Sequence, residues 1–591
     1  MSGILGVVPS VENQVFEQAL DTLTHRGKDN KGIWEATDES ILLGNTRLAV
    51  LDTSEKGNQP MHFNRFVMVF DGTVYNFLEI RKELVGKGHK FESDTDTEVV
   101  LAAYLVWGED CLLKFNGEWA LAIWDKEQKE LFLARDRFGV KPLYYTWIGE
   151  RFAFASEMKA LLPFMNSIEI SEDFDWIIEH KNIYEATDKC LIKNIKRFPA
   201  AHIAIVVPGR MELRRWWNTL EQLPKVIETY EKQVDYFRDI LIDACKIRMR
   251  ADTPIGAISE GDIDSSFLVG AMSQIVQKPS PLETRLYKDF NTLFIANNNQ
   301  NDAEIAQLFK LQTHTITLDP LTVFSNLENT IYSFEELNIS LDTFVRIEIF
   351  KQMNELGIKV GLDNCGADIL LGGVDESIAS AFGDTGFNLK KIFALWNLYS
   401  ENTDGNVLDF FTKKSEKELK NNELFKGIGW DKLDNFAKKI YIQFAYSLLP
   451  SILQNRDKTS MMSGVELRMP FLDWHLVCYA LALPWDSKLR KGYTKSILRD
   501  AAKSILPENI CNNKTKNSFE IPLIIWLKNQ WKPFIQDLIN SQNFIQNQRQ
   551  DSAIIKKKIE GIFNNSSTKS EDLETVWNAL LIYFWRKGFI K

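Results

Sequence analysis

Between Ile258 and Ser266 the chain reads ISEGDIDSS, which places the carboxylates of Glu260, Asp262 and Asp264 at alternate positions around Gly261. A short apolar run, TPIGAIS, precedes this stretch, and a helix-patterned run, SSFLVGAMSQIV, begins within it. A strand-loop-helix junction of this kind is where backbone N–H groups and the positive end of a helix cradle phosphate. Acids there oppose the anion that the geometry invites. The same one-three-five spacing also opens a calcium loop, but that reading fails twice. Ser265 stands at the sixth position, where glycine is required, and Ala271 at the twelfth, where a bidentate glutamate belongs.

The elements that must position these groups follow from the hydrophobic pattern. After the acidic loop, Leu268, Ala271, Met272, Ile275 and Val276 form one face at helical spacing, and IKVGLDN (Ile358 to Asn364) reads as another strand. From about Lys225 long amphipathic helices alternate with short apolar strands. This is the texture of an α/β domain with a parallel sheet, whose ligands lie beyond the strand C-termini. The first two hundred residues differ: short runs such as FVMVFDG, EWALAIWD and ELFLARD are separated by turns, with VENQVFEQALDTL and DTEVVLAAYLVWG as helices. They predict a sheet-rich α+β domain.

A chain of 591 residues is expected to hold two or three domains. Its formal net charge of −10 supplies no attraction for nucleic acid or an anionic membrane, so neither is expected as a partner. No stretch approaches the ~18 uninterrupted apolar residues of a membrane span, and the N-terminus lacks the basic start of a signal peptide. A cytoplasmic protein is the expectation. The six cysteines are scattered without CxxC or close Cys/His spacing, which disfavours zinc and a disulfide framework.

Nine ordered strings together resemble the glutamine-dependent asparagine synthetase family: RGKD (Arg26–Asp29), TRLAVLD (Thr46–Asp52), GNQPM (Gly57–Met61), DGTVYN (Asp71–Asn76), SDTDTEV (Ser93–Val99), DRFGVKPLYY (Asp136–Tyr145), FASEMKALL (Phe154–Leu162), MMSGVELRMPFLD (Met461–Asp473) and KGYTKSILRDA (Lys491–Ala501). The resemblance implies an N-terminal-nucleophile-type sandwich domain at 1–208, a linker at 209–227 and an ATP-pyrophosphatase domain at 228–591. In that family the first domain releases ammonia from glutamine. The second adenylates a carboxylate, which the ammonia then attacks.

Measured against the family pattern, the chain departs where chemistry is expected. The family nucleophile is an N-terminal cysteine; here the position holds Ser2. The family string NGEIYN supplies oxyanion donors, and here it begins Asp71, Gly72, Thr73. A carboxylate about 4 Å from a developing oxyanion opposes it by roughly 4 kcal/mol at an effective dielectric near 20. Arg47 and Asp96, aligned with the groups that grip the glutamine backbone, remain. The family phosphate loop SGGxDS becomes Glu260, Gly261, Asp262, Ile263, Asp264, Ser265, so a hydroxyl and a glycine have both become carboxylates. The family's second signature appears as DNCGADILLGG (Asp363–Gly373), in which Asp368 is retained as a metal-binding acid while Cys365 and Ile369 replace two further family acids. EELNISLD (Glu335–Asp342) stands where the family reads DEPFADPS, and Lys495 aligns with the lysine that stabilises the adenylate. Outside an active site, Lys495 reads as an ordinary helix-surface cation.

Three function classes follow. The first is a family member that has lost both chemistries and serves as an accessory or regulatory partner, as a homodimer or as a heteromer with an active paralogue or biosynthetic enzyme. The second is an ATP-dependent amide ligase or cyclase without glutaminase, which would need ATP and Mg²⁺, the ion held by Asp264 and Asp368. The third is a conventional glutamine-hydrolysing asparagine synthetase. Departures in both halves favour the first, which needs no certain cofactor.

Overall fold

A computed structural model describes residues 2–38, 40–277, 290–295, 300–386, 388–402, 429–430, 433–514, 521–546, 552–564 and 569–590. The chain begins with two six-stranded antiparallel sheets. In spatial order the first holds Ile195–Arg197, Tyr144–Ile148, Arg151–Ala155, Ser2–Val8, Leu42–Arg47 and Asn30–Glu35. The second holds Arg210–Arg215, His202–Val207, Glu130–Arg135, Gly117–Asp125, Phe66–Val74 and Met61–Phe63.

Alternation along the strands builds the layers. Ile4 and Val8 pack between the sheets with Leu43, Val67, Val69, Leu131 and Phe154, whereas Leu5 and Val7 turn outward onto Phe16 and Leu20 of the helix Asn13–Asp21. On the other side Met68, Phe70 and Leu121 meet Val99 and Val100 of Asp96–Trp107. The result is a helix-sheet-sheet-helix stack, in which strands are apolar on both faces because both are covered.

The expected linker at 209–227 is corrected here. Arg210–Arg215 pairs antiparallel with His202–Val207 and belongs to the second sheet. Pro208 and Gly209 read as a break, but Gly209 has φ +74 and turns a hairpin that keeps the chain in the sheet.

The remainder is built on a five-stranded parallel sheet ordered Gln312–Thr315, Phe290–Ile295, Ile255–Ser259, Val360–Leu362, Glu466–Arg468. Sequence order reverses at the central strand, so the chain leaves Ser259 in one direction and Leu362 in the other. The crevice at such a switch point is where α/β sheets bind ligands. Here it lies between the Glu260–Ser265 loop and the loop after Leu362. The C-terminal helix Ser570–Phe589 sends Trp577 and Trp585 into the same apolar cluster as Phe16 and Leu20 of the first domain, so the two halves share a core.

Candidate functional site

Ser2 is buried on the first strand, and its backbone N–H donates to Asp71 Oδ1 at 2.9 Å. Asp71 does not face open space as a lone charge. Its Oδ2 accepts from Arg26 at 3.0 Å and from the Ser156 hydroxyl at 3.4 Å. Arg26, fully buried, also meets Glu157 at 2.9 Å and Asp457 of the second domain at 2.7 Å. Burial alone would lower the Arg26 pKa, but Asp457, Asp71 and Glu157 outweigh it and hold the guanidinium charged. The expected repulsion between Asp71 and an oxyanion is therefore corrected, because the charge is spent inside this network. The larger effect is on Ser2 itself. An N-terminal nucleophile needs its own α-amine free to act as base, and the Ser2 nitrogen is committed as a donor to Asp71 at 2.9 Å.

The groups expected to grip glutamine are also occupied. Arg47 donates to the carbonyls of Ser54 at 2.8 Å, Leu51 at 3.3 Å and Asp52, and to Asn58 Oδ1 at 3.0 Å. Asp96 accepts the Val74 N–H at 2.9 Å, and burial raises its pKa to about 6. Gly72, at φ +149, lies so close to the neighbouring strand that a Cβ would stand 2.1 Å from the Glu118 carbonyl oxygen. From the second domain, Glu466 accepts the Thr73 hydroxyl at 2.9 Å. The cavity that Ser2, Arg47, Gly72, Asp96 and Glu466 line together measures about 30 Å³.

The acidic loop solves its charge problem residue by residue. Glu260 contacts Arg346, which also reaches Asp363 at 3.0 Å and Asp342 at 3.3 Å. These carboxylates outweigh the desolvation of Arg346 and raise its pKa. Asp262 caps the helix Ile263–Gln277: its Oδ1 accepts the Ser265 N–H at 2.9 Å and the Ser265 hydroxyl. The N–H groups of Glu260 and Gly261 donate to Ser265 Oγ at 3.2 Å and Ser259 Oγ at 3.3 Å. Three N–H groups of the loop thus have internal acceptors, one of them a carboxylate at the anion-binding end of the helix. Glu260 opposes phosphate less than its charge suggests, and Asp262 more.

Lys495 is not a helix-surface cation. It is 4% exposed, its backbone is left-handed at φ 55, and its ammonium contacts Asp264 Oδ2 and lies 2.7 Å from Asp368 Oδ1. Burial disfavours that charge, but Asp264 and Asp368 outweigh it and raise the lysine's pKa. One oxygen each of Asp262, Asp264 and Asp368 lie within 4.8 Å of one another. Three hard carboxylates suit Mg²⁺, and Asp264 Oδ1 is buried without a hydrogen-bond partner. This arrangement could hold a magnesium ion, with Asp262 joining the two expected acids. Cys365 and Ile369 are buried and add no charge.

The sequence reading did not single out Arg26, Glu157, Asp457, Glu466 or Arg346. All but Asp457 and Arg346 sit in strings already quoted as family matches. Arg346 had a signal of its own, since it lies between Thr343 and Phe350 on the buried face of Asp342–Glu355, where a charge needs partners. Glu335 and Glu336 hold the two halves together: Glu335 accepts from Met158 N–H at 3.1 Å, Lys159 N–H at 2.6 Å and Lys458, and Glu336 pairs with Arg197 at 2.8 Å.

Comparison with known proteins matches two family models in order: a glutamine amidotransferase domain over residues 1–217 and an asparagine synthase domain over 236–586. Asparagine synthetase [glutamine-hydrolyzing] 1 of Bacillus subtilis is 26% identical over 97% of this chain and 93% of its own length. Asparagine synthetase [glutamine-hydrolyzing] 3 of the same organism is 30% identical over 85% of this chain and 83% of its own. Amidase chry2 of Gibberella zeae is 24% identical over 89% of this chain and 88% of its own.

Proposed function

We propose that this chain, which belongs to the asparagine synthase family and carries a glutamine amidotransferase domain ahead of its synthase domain, has no glutamine hydrolysis and lost or strongly impaired ATP-dependent amide formation. It acts as an accessory or regulatory partner in a biosynthetic pathway. One observation carries this reading: in both sites the groups expected to meet substrate are engaged by the chain's own atoms. Arg47 is bound to four oxygens of its own loop around a cavity of about 30 Å³. Asp262 sits on the helix N-terminus where pyrophosphate would bind, and Lys495 is engaged by Asp264 and Asp368.

A second reading, an amide ligase independent of glutamine, is favoured by the cluster of Asp262, Asp264 and Asp368 beside Lys495. In that reading Asp262, Asp264 and Asp368 would hold Mg²⁺, which would screen phosphate charge, and Lys495 would stabilise the adenylate. The two readings separate in one assay, which follows glutamate release from glutamine and pyrophosphate release from ATP across a panel of amino-acid and peptide carboxylates. The accessory reading predicts neither product above background. Steady pyrophosphate release that is lost in Lys495→Ala would replace it with the ligase.

A further inference from the structure

A cavity of about 460 Å³ lies where the first domain meets the C-terminal helix, away from both sites described above. Its walls are residues 178–183, the stretch Leu337 to Ile339 of the altered EELNISLD segment, and Glu574, Trp577, Asn578 and Leu581 of Ser570–Phe589. The volume falls within the roughly 300–1,000 Å³ of small-molecule sites.

Two features of the lining point to a ligand. Lys181 is half-buried, and its ammonium donates to Asn578 Oδ1, but among the described residues no carboxylate stands at ion-pair distance from it. Burial accordingly lowers its pKa, to about 8. Glu574 lines the same cavity and is likewise without an ion-pair partner among the described residues. Opposite charges thus face one space without closing on each other, while buried Trp577, Leu337 and Ile339 provide an apolar wall. A simple anion would leave Glu574 opposed to it, and a simple cation would leave Lys181 opposed. A zwitterion satisfies both.

We propose that this cavity binds a free α-amino acid with an apolar side chain: Lys181 receives the α-carboxylate, Glu574 the α-ammonium, and Trp577 with Leu337 and Ile339 the side chain. Because the walls come from both halves of the molecule, the bound amino acid stabilises their packed arrangement by mass action. The proposal is independent of whether either family chemistry survives.

The test is calorimetric titration of the full chain with L-leucine, L-phenylalanine and L-methionine, with N-acetyl-L-leucine and L-leucinamide as probes lacking one charge each. At least one amino acid is expected to bind with a Kd below about 1 mM, and both single-charge probes about tenfold or more weakly. Lys181→Met and Glu574→Gln should each weaken the same amino acid at least about tenfold while leaving the unliganded thermal midpoint in place. Absence of heat from all three amino acids up to about 10 mM would overturn the proposal. So would equal binding of the single-charge probes, or affinity unchanged in both variants.

Discussion

Around Ser2 the second domain closes the pocket: Glu466 hydrogen-bonds Thr73, Arg26 carries a bond across to Asp457, and the space left is about 30 Å³. Around Asp264 the crevice remains reachable on one wall, where Asp368 keeps 53% of its side chain exposed. One region is filled, and the other is only paired with itself. The difference teaches how each would respond to change. A filled pocket is part of the fold and resists restoration by single substitutions, whereas a self-paired loop is one side chain from accepting an anion.

The largest effect that sharpens this contrast is expected at Arg26. Arg26→Met leaves Asp71, Glu157 and Asp457 buried without their shared cation, and should lower stability by about 3–5 kcal/mol in chemical denaturation. A loss below about 1 kcal/mol would mean that the plug is not part of the fold. A smaller effect of opposite sign is expected at Lys488, seven residues before Lys495. Lys488 is fully buried, its Nζ has no hydrogen-bond partner, and burial lowers its pKa from 10.5 to about 7.

The sign follows from proton binding. Between pH 7 and 10.5 the unfolded chain holds a proton that the native lysine has released, so this group's penalty is full at and below pH 7 and fades as pH rises toward 10.5. Lys488→Met should therefore stabilise the protein near pH 7, with the gap to the unsubstituted chain closing by pH 10.5. Thermal midpoints at both pH values measure it. The smallest effect is Asp262→Gly, which frees the Ser265 N–H and removes a carboxylate from the helix N-terminus. ATP·Mg²⁺ affinity should rise at least about tenfold, equivalent to ~1.4 kcal/mol, whereas Ser2→Cys with Asp71→Asn should restore no glutaminase.

Much of the fold was legible because apolar runs of strand and helix length persist in both halves. The reach of the first domain was misread at Pro208 and Gly209, since a hairpin turn and a domain break share the same residues. The positions of the site residues were legible, but their electrostatic states were not. Asp71 and Glu260 look like bare charges in sequence, and their partners Arg26 and Arg346 lie 45 and 86 residues away. Lys495 looked like a surface cation because a lone lysine before a helix carries no local sign of burial. The capping role of Asp262 was open to view in the sequence: an aspartate immediately before an apolar helical run is an N-cap, which puts its carboxylate at the helix N-terminus.

The central claim, that the chain's own carboxylates occupy its anion site, is tested most directly by calorimetric titration of the full chain with ATP and Mg²⁺. The account predicts no binding stronger than about 1 mM for the unsubstituted protein, and a measurable isotherm for Asp262→Gly. Binding of the unsubstituted protein with a Kd of about 1–10 μM would contradict it.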